Sequence, residues 1–171
     1  GLPPKFDFAR QVAAALAFIA LADLDRVSII AFAGDIIDDF PLTRGKARIL
    51  ALLKFLENLK PQGTVTDLAR VVNGFTHRTQ RRGLAVVVSD LYDPGGFTKG
   101  LDQLRHNRYE PHIVQVYDRL EAEPKMKGDI ELFDVETGTT QKVTVTERNL
   151  RQYRAIFEAF QTSIKSYCQT Y

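Results

Sequence analysis

Several things are scarce in this chain of 171 residues, and each scarcity removes a class of function. There is one cysteine, Cys168, so no internal disulfide can form; beside Tyr167 on an amphipathic stretch it reads as a packed thiol in a reducing compartment. The 23 basic and 21 acidic residues are mixed along the sequence and leave a formal net charge of +2. No basic stripe marks a nucleic-acid partner. The longest apolar stretch, Val12 to Ala22, is too short to span a bilayer and is full of alanine. No basic leader with a cleavage site precedes it, so the expectation is a cytoplasmic protein with no membrane segment. The fingerprints GxGxxG, GxxxxGKS/T and GxSxG are missing, and with them the usual signs of nucleotide binding and serine hydrolysis. His77, His106 and His112 lie far apart, without the close spacing of a zinc site. No repeat, low-complexity tract or linker interrupts the chain. With 44% hydrophobic residues, one globular domain over 1–171 is expected.

What is present is an alternation of periodicities. Phe6, Ala9, Val12, Ala13, Leu16, Ile19 and Ala20 recur at helical spacing after Pro3 and Pro4. Arg26 to Ala33 is rich in β-branched and aromatic residues and reads as a buried strand. Gly34-Asp35 is then a hairpin turn, with "IIDDFPL" as an edge strand that tolerates Pro41. On that edge Asp38 and Asp39 discourage pairing with other chains. Lys46 to Leu59 carries leucines on one face and stops before Pro61. "QGTVTDLARVVNGF" opens a third helix with Thr66 in the N-cap position and Asp67 in its first turn. "RRGLAVVVSD" is a central strand, "FTKGLDQLRHNRY" a short helix and "PHIVQVYD" another strand. Gly128 to Thr146 alternates around Glu136-Thr137-Gly138 as an antiparallel hairpin, and Glu147 to Tyr171 is a closing amphipathic helix.

The fold class is therefore α/β, in three layers: a Rossmann-like, mostly parallel sheet with helices on both faces and an inserted β-hairpin near 128–146. Asp90 falls at the C-terminal end of a buried strand, where open α/β sheets place their ligands. Asp93, before Pro94, is a turn residue. "HRTQRR", His77 to Arg82, is a solvated turn, and the stripe Tyr153, Phe157, Phe160 and Tyr167 is core packing.

The segments "KFDFARQVAAALAFIALADLDRVSIIAF", "RGKARILALLKFLENLKPQGTVTDLARVV", "RRGLAVVVSDLYDP" and "LDQLRHNRYEPHIVQVYD", taken in this order, resemble successive parts of a von Willebrand factor A-type domain. More narrowly they resemble a bacterial family of unknown function commonly encoded beside MoxR-type AAA+ ATPases. The hairpin "GDIELFDVETGTTQKVTV" and the helix "YRAIFEAFQTSIKSYC" fit as well. The resemblance implies a metal-ion-dependent adhesion site, in which a DxSxS motif, a threonine and an aspartate hold a divalent cation. Thr66 matches the threonine, with Thr64 second to it, and Asp90 matches the aspartate. The DxSxS motif, the strand that carries it and the last strand have no counterpart here, so the domain is expected to be incomplete at both ends. Mg²⁺ or Mn²⁺ is the implied cofactor, held weakly or not at all by the half-site that remains. The function so implied is non-enzymatic protein binding, with a MoxR-type ATPase as partner in the assembly or maturation of complexes.

Two alternatives stand beside it. A metal-dependent phosphatase or nuclease would use Asp90 with a second strand-end acid, for which Asp35 is the one candidate. A truncated module would instead bury its unpaired strands by self-association.

Overall fold

The computed structural model describes residues 4–63, 65–79, 81–124, 126, 128–133 and 140–171. The chain divides into two compact units, Gly1–Val116 and Tyr117–Tyr171. The first holds α1 (Lys5–Ala22), β1 (Arg26–Phe32), β2 (Ile36–Arg44), α2 (Ile49–Asn58), α3 (Leu68–Arg78), β3 (Gly83–Ser89), α4 (Phe97–His106) and β4 (Tyr109–Gln115).

Helix α1 is built from alanine and long apolar residues, a composition with high helix propensity. Its end is closed by its own backbone. The Leu24 amide donates to Leu21 O at 3.3 Å and the Asp25 amide to Ala20 O at 2.9 Å, with Leu24 left-handed at φ 64°. The chain then runs into β1, which pairs antiparallel with β2 from Arg26↔Arg44 to Phe32↔Ile36. The register slips between Val27↔Thr43 and Ile29↔Phe40. Pro41 lies in that bulge, where its missing N–H breaks no ladder. The expected helix from Lys46 starts as a 3₁₀ turn over Lys46–Arg48 and becomes α-helical at Ile49. Ala17 and Leu21 of α1, Phe40 of β2, and Leu52 and Leu56 of α2 form one buried cluster. Full burial of each leucine contributes about 1.5–3 kcal/mol.

Strands β3 and β4 pair in parallel from Gly83↔Tyr109 to Ser89↔Gln115, and α3 and α4 pack together beside them. Leu68, Val71 and Val72 of α3 are buried, as are Phe97, Leu101 and Leu104 of α4 and Val87 of β3. The two helices approach so closely that a Cβ on Gly100 would lie 2.6 Å from Leu68 Cγ and 3.0 Å from its carbonyl carbon. Gly100 is the condition for that contact.

The sheet differs from the single, mostly parallel one read from the sequence. The described strands form three two-stranded sheets, and only the β3–β4 pair is parallel. The reason lies in β1 and β3, which are hydrogen-bonded on one edge each, to β2 and to β4, and not to one another. Helix α1 packs on both strands and joins the two halves.

The second unit holds α5 (Arg119–Ala122), β5 (Gly128–Phe133), β6 (Thr140–Val145) and α6 (Glu147–Thr170). Strands β5 and β6 form the expected antiparallel hairpin, with Gly128 opposite Val145; its turn at Glu136-Thr137-Gly138 lies outside the described residues. Helices α5 and α6 each begin with a capping box, Asp118 with Glu121 and Thr146 with Asn149. Tyr117 meets Phe157 edge-on at 5.5 Å, and Phe157 stacks with Tyr153 at 6.4 Å. Cys168, expected to be packed, is exposed. It sits in the last turn of α6, where only Tyr167 is even half-buried. Among the described residues no helix is long and apolar enough to cross a membrane.

Candidate functional site

Four pieces of chain meet where β1 and β3 end. After β1 the turn Ala33–Asp35 lies against the loop that leads into α3: the Asp67 amide donates to Ala33 O at 3.3 Å. A Cβ on Gly34 would stand 3.0 Å from Val65 O. After β3 the loop is stitched to the start of α3, because the Leu68 amide donates to Asp93 Oδ2 at 2.8 Å. The first turn of α1 reaches the same place, with Lys5 Nζ donating to Asp90 Oδ2 at 3.0 Å.

The β3 exit is shaped by side chains that mimic backbone turns. Ser89 Oγ accepts from the Leu91 amide at 3.0 Å, Asp90 Oδ1 from the Tyr92 amide at 3.1 Å, and Asp93 Oδ1 from the Gly95 amide at 2.7 Å. Between them Leu91 is left-handed at φ 63°. A non-glycine residue there costs roughly 1–2 kcal/mol. Its side chain, only 2% exposed, offsets that cost by burial.

Thr66 and Asp90 are both carried to this edge, on the loop into α3 and at the end of β3. Thr66 is half-buried, but it is not the N-cap of α3. That position belongs to Asp67, whose Oδ1 accepts from the Arg70 amide at 2.9 Å. Asp67 has the non-helical backbone of a cap, φ −136° and ψ 87°, and its carboxylate reaches the third amide of the helix with a charge that suits the positive helix end. Thr64 lies outside the described residues. Asp93 is the turn residue expected and also a second ligand of the α3 amides. Local spacing had no means of showing that, since its partner is 25 residues away. Asp35, the second acid considered for an enzyme, sits in the β1–β2 turn. It accepts from the Ile36 amide at 2.8 Å and pairs with Arg70 at 3.3 Å.

Residues 3–163 match the family described as "Protein of unknown function DUF58", and the chain belongs to that family. It is 26% identical over 143 residues to the uncharacterized protein Rv1480 of Mycobacterium tuberculosis (strain ATCC 25618 / H37Rv), covering 82% of this chain and 45% of that protein. It is 33% identical over 85 residues to the uncharacterized protein MAV169 of Mycobacterium avium, which is 50% of each chain. The chain thus spans about half the length of these curated relatives. Two solved structures share its fold. One is an aerotolerance-related membrane protein from Bacteroides fragilis NCTC 9343 with multiple mutations to serines, at TM-score 0.58 and 18% identity over 91% of this chain and 78% of that one. The other is the conserved hypothetical protein BatB from Bacteroides thetaiotaomicron, at TM-score 0.54 and 16% identity over 96% of this chain and 88% of that one.

A hard dication such as Mg²⁺ needs about six oxygen ligands near 2.1 Å, and the residues at this edge do not fit that demand. Both Asp90 oxygens are already engaged, Oδ2 by an ammonium and Oδ1 by an amide. Both Asp93 oxygens likewise hold backbone amides. Among the described residues no group of three or more His, Cys, Asp or Glu side chains is placed to hold a metal ion.

Proposed function

We propose that this chain is a non-enzymatic protein-binding module of the von Willebrand A type, Rossmann-like in design and cytoplasmic. Its binding edge is the strand-end surface of Lys5, Thr66, Arg70, Asp90 and Tyr92. The partner in this reading is a MoxR-type AAA+ ATPase acting in the assembly or maturation of complexes. Thr66 and Asp90 stand where the threonine and the aspartate of an adhesion site would be.

One observation carries the reading. The carboxylates of Asp67, Asp90 and Asp93 all accept hydrogen bonds from main-chain amides of the edge itself, so they fix its shape. What such an edge offers outward is the exposed ring of Tyr92 and the exposed Arg70–Asp35 pair. A fixed surface of aromatic and paired charge suits recognition. Likeness to the two Bacteroides structures supports the fold, and the family supports the bacterial setting.

The test is biolayer interferometry between this chain and a MoxR-type ATPase from the same genome. Binding is expected, and the double variant Tyr92→Ala, Arg70→Glu should weaken it at least tenfold with the circular dichroism unchanged. Binding that ignores both substitutions, or no binding at all, removes the edge as the interface. Phosphoester hydrolysis lost on Asp90→Asn would put the enzyme reading in its place.

A further inference from the structure

Lys5 is the first residue of α1, and a cation there is the wrong charge for a helix N-terminus, where the aligned amides already present a partial positive charge. Its ammonium turns away to the end of β3, 85 residues on, and donates to Asp90 Oδ2 at 3.0 Å. It also stands 5.7 Å from the centroid of the Tyr92 ring, a second group that attracts a cation. The side chains are 34% and 28% exposed, so the pair is partly shielded from competing water. The strand-end aspartate therefore has a cation, supplied by the chain.

We propose that Lys5 is the resident cation of this edge, and that its ammonium and a divalent metal ion are mutually exclusive at Asp90. The geometry allows one or the other. A metal bonded to Oδ2 at about 2.1 Å would stand beside the ammonium that donates to the same oxygen from 3.0 Å, and it would bring two like charges against one carboxylate. Oδ1 already accepts from the Tyr92 amide at 3.1 Å, and a metal on its remaining lone pair would still share one carboxylate with the ammonium. With Lys5 in place the edge keeps its charge balance and its loop shape without a divalent ion. The inference rests on reading this edge as a binding surface only for its biological meaning; the competition itself involves Lys5, Asp90 and the metal alone.

Mn²⁺ is the probe. Its paramagnetic broadening of backbone amide signals detects even millimolar association, and it can be followed on the ¹⁵N-labelled 171-residue chain without any partner. The unaltered chain is expected to show no selective broadening of residues 88–92 at a few millimolar Mn²⁺. Lys5→Met and Lys5→Gln should each show it at least tenfold more strongly. Lys5→Arg, which keeps the charge, should behave as the unaltered chain. Adding Asp90→Asn to Lys5→Met should abolish the gain. Equal broadening in the unaltered and Lys5→Met chains overturns the proposal, as does its absence from both or its persistence with Asp90→Asn. Failure of ATPase binding with this competition intact would overturn only the partner.

Discussion

Two helix ends in the first unit are each met by a side chain from far away in the sequence, and the two side chains carry opposite charges. At the C-terminus of α2, Arg10 Nη1 donates to the carbonyls of Leu56, Glu57 and Leu59 at 3.0, 2.8 and 3.2 Å. Its other nitrogen pairs with Asp7, and Phe6 lies 5.3 Å from the guanidinium. At the N-terminus of α3, Asp93 and Asp67 accept from the Leu68 and Arg70 amides. Each charge suits the helix pole it meets. The difference lies in what surrounds them. Arg10 ties α1 to α2 beside a core cluster of apolar residues, whereas Asp93 ties two loops together at the edge proposed as the binding surface. The same electrostatics serves cohesion in one place and the shape of a surface in the other.

Arg10→Ala puts most strain on that contrast. Three charge-assisted bonds to carbonyls disappear together, and one such bond is worth roughly 1.5–3 kcal/mol. Because the C-terminal carbonyls of α2 can turn to water, the loss is expected to be about 3 kcal/mol in urea unfolding, and not three times one bond. Binding at the strand-end edge should be unchanged. An equally large loss of binding would show that the two helix ends are not separate devices.

Asp93→Ala should cost less stability and more function. Removing a helix-capping carboxylate costs about 1–2 kcal/mol, here shared between the Leu68 and Gly95 amides. Asp93→Asn keeps an acceptor oxygen and should lose about half as much. Both should weaken partner binding in the same order, since both loosen the loop that carries Asp90 and Tyr92. Stability lost without any change in binding would reduce Asp93 to the role that Arg10 has.

These ties explain which parts of the molecule were legible beforehand. Periodicity depends on neighbours, and it located α1, β1, β3 and α6 to within a residue or two, together with the acid that ends β3. It located the β5–β6 hairpin strands for the same reason. It passed over the four-residue α5, which is too short to show a period and follows Asp118, a residue already read into the preceding strand. It put Thr66 at the cap that Asp67 takes, because both types favour the position and only backbone conformation decides between them. The Lys5–Asp90 and Arg10–α2 ties span 85 and 46 to 49 residues, beyond any local pattern. One trace of the first was in view: a lysine opening a helix, where an acid would be favoured. The separation of the sheets depends on which strand edges meet, which composition does not encode; the edges of β1 and β3 left unpaired among the described strands were legible only through the family resemblance, which puts a further strand between them.

The end of α1 supplies the control, because main-chain amides close it, and the side chain that reaches this turn, Arg44, donates to the Leu24 carbonyl beyond the helix. Its last carbonyls accept from the amides of Asp23, Leu24 and Asp25, at the cost of holding Leu24 left-handed at φ 64°. Leu24 is 55% exposed, so little burial offsets that conformation. Leu24→Gly should therefore stabilise the protein by about 1 kcal/mol, seen as a higher urea midpoint with the slope unchanged. Leu91 has nearly the same φ, 63°, but is 2% exposed, and there glycine would remove a buried leucine from the loop after β3. Leu91→Gly should go the other way and disturb the loop of Asp90. If both substitutions stabilised the chain, the left-handed turn at the end of β3 would be ordinary strain, and burial would not be what holds the edge in shape.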